Sequence, residues 1–347
     1  MVNFTRFVAW LKNRRGSNAL FCYMNISSFL IAIYFSAPVF GQEKRYEFQK
    51  GLMGSPFRLV FYAENDSLAA NAAQLAFARI EHLNELLSDY RDGSEINRLS
   101  ARSGSGEWVV VSDELFEILA ISKKISRETN GTFDPSVGPA VQLWRRAMRR
   151  NTFPSEKEIR GVRRKIGGRY IQLRENPKRI RLKKPGMRLD VGAIGKGYAA
   201  DEAMKVLKSL GIASVLIDAG GDLTLADPPP GKLGWQVEVS SGQASDSVAT
   251  LVLANVGVAT SGATYRYLEH QGRRYSHIVN PRNGIGLQFH VRTTVVAPSG
   301  TLADALATSL SVAGIQEGKK ISRRFPEVQV WLLETKNGKL RSWNTLN

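Results

Sequence analysis

Cysteine is almost absent from this 347-residue sequence, which contains Cys22 alone. Because Cys22 lies within residues 1–41, the rest of the chain has no thiol for a disulfide, a covalent intermediate or a cysteine-ligated metal. Histidine is also scarce, with four residues, which argues against a histidine-rich zinc site. Internal repeats and low-complexity tracts are absent too, and 43% of the residues are hydrophobic. A folded core is therefore expected.

Acidic residues are missing from the first 42 positions, where four Lys/Arg precede an uncharged stretch over 16–42. A basic start, an apolar run and small residues near its end are typical of a signal peptide, here with cleavage after Gly41. The apolar run also approaches the roughly 20 residues that span a bilayer, so an uncleaved N-terminal anchor is the alternative. We expect residues 1–41 to direct export and residues 42–347 to form the folded protein.

Positive charge is concentrated in one segment of a chain whose formal net charge is +17. Residues 145–188 contain 17 Lys/Arg against three Glu. The favoured interpretation is a solvated, insertion-like surface segment, and the alternative is a patch that contacts a membrane surface or an acidic protein. Because aromatic residues are few in it, we expect no nucleic-acid partner.

Strand-like and helix-like patterns are mixed along the chain without a domain-breaking linker. Residues 46–64 read as two short strands around a turn, and 112–130 as a helix that begins after Ser112. Two further helices are predicted over 198–211 and over 302–314, the second ending at Gly314. Such a mixture predicts one α/β or α+β domain.

A glycine-rich stretch, "LDVGAIGKGYAAD" at 189–201, connects an expected strand to the helix expected from Tyr198. Backbone N–H groups at such a turn bind anions, and Lys196 adds a positive charge. The glycine order, G-x-x-G-x-G, differs from the Rossmann and Walker patterns, so a purely structural turn remains the simpler interpretation. Asp190 would repel a phosphate at the mouth of this turn unless it contacts another group.

Three other places offer chemistry, each with a plain structural alternative. Asp304 and Thr308 lie four residues apart on a predicted helix, and their oxygens suit Mg²⁺, although Asp304 could simply favour the helix start. His277 precedes a Pro/Gly turn and is either a general base or a hydrogen-bonded turn residue. Tyr90 and Phe133 could stack on a flat ring or anchor their loops in the core.

Six motifs in order across residues 53–310 give the sequence a family likeness. They are "LSDYRDGSEINRLS", "TNGTFDPSVGP", "LDVGAIGKGYAAD", "IDAGGDL", "ATSG…YSHIVNPRNG" and "ADALATSL". The sequence resembles the ApbE family, the FAD:protein FMN transferases. The resemblance implies a single ApbE-like (T-fold-like) domain of mixed sheets with packed helices. It also implies export in a bacterium, to the periplasm or to the periplasmic face of the inner membrane.

The resemblance also implies a reaction and the residues that perform it. FMN passes from FAD to a Thr or Ser hydroxyl of an acceptor protein, with Mg²⁺ as cofactor, and AMP is released. Asp304 and His277 are implied as catalytic residues, with His277 in proton transfer. The implied Mg²⁺ ligands are the Ala193 carbonyl, Asp304 and Thr308. The implied FAD contacts are Met53, Tyr90, Thr132, Phe133, Asp134, Asp190, Lys196 and Ile278.

Departures from the family pattern leave alternatives open. Asn280-Pro281-Arg282-Asn283-Gly284 stands where the family usually has Asp-Pro-x-Thr-Gly, and Gly195 replaces a usual alanine. The first change could alter the pKa of His277 or the acceptor groove. Two other functions use the same residues: an FAD pyrophosphatase that releases FMN and AMP, and a protein that binds FAD without turnover.

Overall fold

The part of the chain that the computed structural model describes comprises residues 43–240, 248–262, 266–336 and 338–345. The predicted leader, 1–41, lies outside the described residues. Within the described ranges, no helix combines the length and the apolarity needed to cross a membrane. Whether the leader is cleaved or serves as an anchor stays a prediction.

The described residues contain seven α-helices, one short 3₁₀ helix (Gly168–Tyr170) and seventeen strands. The helices are α1 (Asp66–Leu87), α2 (Glu95–Ala101), α3 (Asp113–Glu128), α4 (Gly138–Arg150), α5 (Glu156–Arg163), α6 (Gly195–Ser209) and α7 (Gly300–Ser322). The strands are β1 (Lys44–Leu52), β2 (Ser55–Ala63), β3 (Val109–Val110), β4 (Ile171–Arg174), β5 (Arg179–Leu182), β6 (Val215–Ala219), β7 (Leu223–Leu225), β8 (Trp235–Ser240), β9 (Val248–Leu253), β10 (Val256–Gly262), β11 (Tyr267–His270), β12 (Arg273–Ser276), β13 (Val279–Asn280), β14 (Ile285–Gly286), β15 (His290–Ala297), β16 (Gln329–Lys336) and β17 (Lys339–Asn344).

The framework is an eight-stranded sheet in the order β1-β2-β6-β7-β10-β15-β16-β17, in which every neighbouring pair is antiparallel. Successive strand residues face opposite sides: Leu59 and Phe61 join the core beneath the helices, whereas Val60 joins a cluster with β8 and β9. Helices α1, α6 and α7 therefore cover one face, and the β8–β9 hairpin covers the other. The predicted mixed fold is confirmed.

Several predicted elements agree with the structure, but the predicted start of one helix was wrong. The Ser112 side chain caps α3 by accepting from Leu115 N at 3.2 Å, as its position predicted. Helix α6 begins at Gly195 rather than Tyr198, because tertiary contacts override the low helix propensity of glycine. The range of α7 extends to Ser322, but Gly314, with φ 66° and ψ −179°, is not helical: the first helical segment ends there, as predicted, and a second segment follows.

The stretch before the glycine-rich turn is not a strand, since Arg188 forms only an isolated parallel bridge to Val137. The basic 145–188 segment contributes α5, β4 and β5 and places apolar residues in the core. Ile171 and Ile180 are fully buried, and β5 pairs with both β3 and β4. Its cations therefore project from elements that are part of the domain core. Contact of this segment with a membrane surface stays a prediction.

Candidate active site

A cleft of about 360 Å³ brings together ten of the twelve predicted site residues. The loop before α4, the start of α6, the end of β10, the loop after β12 and the first turns of α7 form its walls. Since these segments are far apart in sequence, the fold alone creates this cleft. The predicted residues that line it are Thr132, Phe133, Asp134, Asp190, Ala193, Lys196, His277, Ile278, Asp304 and Thr308.

The other two predicted residues, Met53 and Tyr90, line a second cleft of about 600 Å³. Both clefts are lined by Arg145, Gly192 and Lys196, so they meet along a common boundary. Tyr90 is 72% exposed, as an accessible stacking surface must be. One of its faces is already covered, because the Arg145 guanidinium carbon lies 4.2 Å from the ring centroid.

The first turns of α6 and α7 touch at two glycines, and this contact positions the polar centre of the first cleft. A Cβ on Gly197 would lie 2.5 Å from the carbonyl carbon of Gly300, so only glycine fits there. The close approach lets Gly197 N donate to the Asp304 carboxylate at 3.1 Å. The glycine-rich stretch thus places a helix N-terminus in the cleft, where Gly197 N donates to a carboxylate of the protein itself; binding of a phosphate at this turn stays a prediction.

Asp304, Lys196 and Asp222 form a buried charged cluster. Asp304 and Asp222 are 6% and 8% exposed, and the ammonium of Lys196 is ion-paired with Asp222. Burial, followed by the charge of Asp222, raises the pKa of Asp304 to about 7, against the opposing effect of Lys196. Burial alone would lower the pKa of Lys196, but Asp222 and Asp304 outweigh it and raise it. The cluster thus contains two carboxylates and one cation, so a further positive charge beside it would be electrostatically favourable.

The donors around Asp304 fit Mg²⁺ in type. They are a carboxylate, the half-buried hydroxyl of Thr308 and the main chain at Ala193, all hard oxygen ligands in one cleft. Mg²⁺ typically takes one or two protein carboxylates together with phosphate oxygens and water. Within the described ranges, no group of three or more His, Cys, Asp or Glu side chains is arranged to hold a metal. A site here would accordingly depend on ligands from a bound phosphate.

Asp190 is compensated by protein groups. Its carboxylate accepts from Gly192 N at 2.8 Å and lies 3.4 Å from the Arg145 guanidinium, which also pairs with Asp89. Burial and then the charge of Asp89 raise the pKa of Asp190, whereas Arg145 and the Gly192 N–H lower it. Arg145 thus offsets the carboxylate that would repel an anion at this turn. The predicted contact of Asp190 with FAD stays a prediction.

The loop that carries Thr132, Phe133 and Asp134 is held largely by its own side chains. The Asp134 carboxylate accepts from Ser136 N at 2.9 Å and from Gly168 N at 2.8 Å, so both of its oxygens are engaged. Phe133 is 4% exposed and packs in the main core, although it also reaches the cleft wall. The loop-anchor alternative therefore describes the Phe133 side chain, and its contact with FAD stays a prediction.

His277 lies at the open side of the first cleft. Its Nδ1 is 3.3 Å from the carbonyl oxygen of Arg266, so the tautomer that donates there leaves Nε2 as an acceptor. Partial burial lowers the pKa of His277, and the charges of Arg266 and Arg145 add to this effect, although the hydrogen bond opposes it. The imidazole is accordingly neutral at pH 7 and can take a proton.

The two asparagines that depart from the family pattern both stabilise the turn after His277. The Asn280 side chain accepts from Arg282 N at 3.0 Å, and the Asn283 side chain accepts from Ile285 N at 2.9 Å. These are the hydrogen bonds of Asx turns, which aspartate and asparagine both form. Both asparagine side chains therefore hold the turn without adding a negative charge to it.

Sequence reasoning missed three charged residues of this site. Asp222 pairs with Lys196, and Asp89 and Arg145 form the boundary of the two clefts. Asp222 lies in the motif "IDAGGDL", and that motif was the available signal. Arg145 gave none, since it is one of 17 cations in the basic segment.

Comparison with known protein families and sequences agrees with this geometry. The model of the ApbE family matches residues 53–332. A protein of Treponema pallidum named FAD:protein FMN transferase is 30% identical over 294 residues, covering 80% of this chain and 81% of its own. A protein of the same name from Escherichia coli K12 is 28% identical and covers 75% of each chain.

Solved structures of ApbE proteins are similar to this chain in both fold and sequence. The apo form of the flavinyl transferase ApbE from Pseudomonas stutzeri superposes with a TM-score of 0.78 at 25% identity, covering 88% of this chain and 95% of its own. The ApbE protein of Thermotoga maritima gives a TM-score of 0.75 at 26% identity, with 86% and 96% covered. On the family match over most of its length, the chain belongs to the ApbE family.

Proposed function

We propose that this protein transfers FMN from FAD to a Thr or Ser hydroxyl of an acceptor protein and releases AMP, with Mg²⁺ as cofactor. One observation carries the proposal: Asp304, Lys196 and His277 line a single cleft at the N-terminus of α6. A carboxylate–lysine cluster beside a neutral histidine suits phosphoryl transfer to a hydroxyl. Relatives that share most of the chain are named FAD:protein FMN transferase, which supports this choice.

Charge neutralisation is the largest requirement of such a reaction, because negative charge spreads over the phosphoryl oxygens. Lys196 supplies it from the protein side, because the Gly195 and Gly197 N–H groups at the start of α6 already donate to Val191 and Asp304. Asp304, Thr308 and the Ala193 carbonyl would hold Mg²⁺. When bound, the ion polarises the phosphoryl oxygens and stabilises the departing charge. Asp222 keeps Lys196 charged and in place.

The two clefts fit the two ends of a dinucleotide whose pyrophosphate lies at their boundary. Lys196 and Gly192 line both clefts, and Lys196 is the cation that a pyrophosphate at that position would meet. Tyr90 and Met53 would then contact one ring system of the dinucleotide in the second cleft. Ile278 and the Thr132 loop would contact the other ring system in the first cleft. Arg145 separates these halves and stays paired with Asp89.

In the proposed step, the acceptor hydroxyl oxygen bonds to the phosphorus on the FMN side of the pyrophosphate. The bond from that phosphorus to the bridging oxygen breaks, and AMP leaves with the bridging oxygen. The hydroxyl proton passes to Nε2 of His277, whose Nδ1 is held by the Arg266 carbonyl. No electrons are exchanged, and the flavin stays attached through a phosphoester.

Replacing His277 by glutamine tests this proton transfer. We expect transfer to slow by roughly 10²- to 10⁴-fold while the Kd for FAD stays nearly unchanged, because a base acts on the acceptor and not on FAD. The wild-type rate should fall in acid, at a pH lower than the ordinary imidazole pKa of about 6.5, because the pKa of His277 is lowered and protonated imidazole cannot accept a proton. The variant should lack this inflection, and lost FAD binding would instead assign His277 a structural role.

The whole proposal is tested with purified protein, FAD, Mg²⁺ and a candidate acceptor bearing a Thr. The expected result is a fluorescent acceptor band that survives denaturation, with one AMP formed for each flavin attached. AMP and free FMN without a labelled acceptor would favour the pyrophosphatase. Absence of AMP would contradict both enzymes and leave FAD binding without turnover.

Location is part of the same proposal. The leader over 1–41 is expected to export the domain to the periplasm or to hold it at the periplasmic face of the inner membrane. N-terminal sequencing of the protein from each cell fraction distinguishes the two: a mature start at Gln42 indicates cleavage, and an intact start indicates an anchor. Cytoplasmic protein with an intact leader would contradict both.

A further inference from the structure

The end of α4 and the adjacent part of α5 carry exposed arginines beside the first cleft. We infer that this surface, which we call the α4–α5 ridge and define as Arg146, Arg149, Arg150 and Arg163, binds an acidic segment of the acceptor protein. The inference rests on the proposed function, because it assumes that an acceptor protein must approach this cleft.

Helix α4 leads directly from the cleft to the ridge. Val137 and Val141 line the first cleft, and Arg145, two turns after Val137, forms its boundary with the second. Arg149 lies one turn further, about 6 Å along the helix axis, and is exposed, as is Arg146. A chain that enters the cleft along α4 therefore passes these arginines.

Helix α5 extends the ridge across the turn that follows His277. A Cβ on Gly284 would lie 3.7 Å from the Cβ of Arg163, and Trp144 Nε1 donates to the Gly284 carbonyl at 2.8 Å. The turn is thus held between α4 and α5, and its Pro281 lines the first cleft. The ridge and the cleft consequently share one rim.

Charge on the two helices is strongly unbalanced. Residues 138–164 contain eight Lys/Arg and two Glu. Both glutamates are already engaged: Glu156 pairs with Arg160 at 2.7 Å, and Glu158 accepts from the N-cap Ser155 at 2.9 Å. Among the described residues, none forms a hydrogen bond or ion pair with a ridge side chain, although the charge of Arg146 adds to the Ser155 hydrogen bonds that lower the pKa of Glu158. The ridge therefore presents net positive charge to solvent.

The ridge offers charge but little apolar surface. Ala140, Leu143, Trp144 and Ala147 bury the apolar side of α4 in the domain. Of the large hydrophobic side chains exposed in the described part of the chain, none lies on α4 or α5. Helices that lie in a membrane surface insert an apolar face, which is missing here. Position beside the cleft and purely electrostatic character favour an acidic protein segment over a lipid surface.

The test uses the full-length protein and two peptides with a central Thr, one flanked by Asp/Glu and the other by Asn/Gln, each carrying a far-red dye whose emission is separate from that of flavin. Fluorescence anisotropy measures binding, and in-gel flavin fluorescence measures transfer. At about 50 mM salt we expect the acidic peptide to bind about tenfold tighter, and at about 0.5 M salt the difference should disappear through screening. The triple variant R146Q/R149Q/R150Q should lose this preference through weaker binding, with unchanged transfer at saturating peptide.

A matched control removes three cations at the far end of α7 and on β17, in the variant K320Q/R323Q/R341Q, and should keep the preference. Equal binding of both peptides to the wild type, or a preference retained by the ridge variant, would overturn the inference. Binding to phosphatidylglycerol vesicles that only the ridge variant loses, without peptide preference, would overturn it in favour of lipid. Preserved peptide preference without transfer or AMP would overturn the proposed function while leaving the ridge as a site for acidic segments.

Discussion

Replacing Asp304 by asparagine is expected to lower the rate of FMN transfer by roughly 10²- to 10³-fold, even at high Mg²⁺. A bound metal ion contributes several kcal/mol to the transition state, and each 1.36 kcal/mol is about tenfold in rate. Asparagine retains an oxygen that accepts from Gly197 N but has no negative charge for the ion. The loss should therefore come from the proposed metal site and not from a displaced helix.

The thermal stability of the variant shows whether its lower rate comes from a lost metal site or from a displaced helix. The Asp304 carboxylate is 6% exposed and its pKa is raised by burial, so an uncharged amide avoids a desolvation cost. We expect the Tm of the variant, without Mg²⁺, to equal or exceed that of the wild type. AMP release is measured across a Mg²⁺ titration, with Glu327→Gln, an exposed carboxylate after α7, as the control. Undiminished release by the Asp304 variant would refute the metal assignment.

The parts of the site that depend on local patterns could be predicted from the sequence. Asp304 and Thr308 lie four residues apart, which places both on one side of α7 wherever the helix packs. The helix N-terminus at the glycine-rich stretch follows from the glycines, the lysine and the alanine-rich continuation. Ordered motifs then identified the family, and ten predicted residues meet in one cleft because the family shares a fold.

Pairs that form only through the tertiary fold could not be predicted. Lys196 pairs with Asp222 across 26 positions, and Arg145 pairs with Asp89 across 56, so no periodicity links either pair. The start of α6 was predicted wrongly for the same reason, because it too depends on tertiary contacts. Glycines at 195 and 197 weaken a helix in isolation, and the contact that requires Gly197 comes from Gly300, far along the chain.

Asp190 shows how the structure can resolve a conflict that the sequence raises. An aspartate beside a phosphate-binding turn is unfavourable by itself, but Arg145 pairs with it and with Asp89. The turn N–H of Gly192 adds a hydrogen bond. The carboxylate therefore shapes the turn and anchors Arg145 at the boundary of the clefts, leaving Lys196 as the cation for an anionic ligand.

Replacing Gly197 by alanine is expected to lower the free energy of unfolding by about 3 kcal/mol, the upper range for overpacking a close contact. The new Cβ would lie 2.5 Å from the carbonyl carbon of Gly300 and 2.8 Å from Thr301 N. Backbone atoms cannot move aside as a flexible side chain can. Nor can α7 retreat, because Asp201 accepts from Gly300 N at 2.9 Å and from Thr301 N at 2.8 Å.

Gly195→Ala is the matched control two residues earlier. A Cβ there meets no atom closer than Val191 Cγ2 at 4.0 Å, and alanine favours a helix over glycine by about 0.5–1 kcal/mol. Denaturant unfolding should therefore show equal or greater stability for this variant and a large loss for Gly197→Ala. The rate of FMN transfer should fall for Gly197→Ala even at temperatures well below its Tm, because a shift of α7 also moves Asp304. Equal stability of both would mean that the α6–α7 contact does not fix Asp304 beside Lys196.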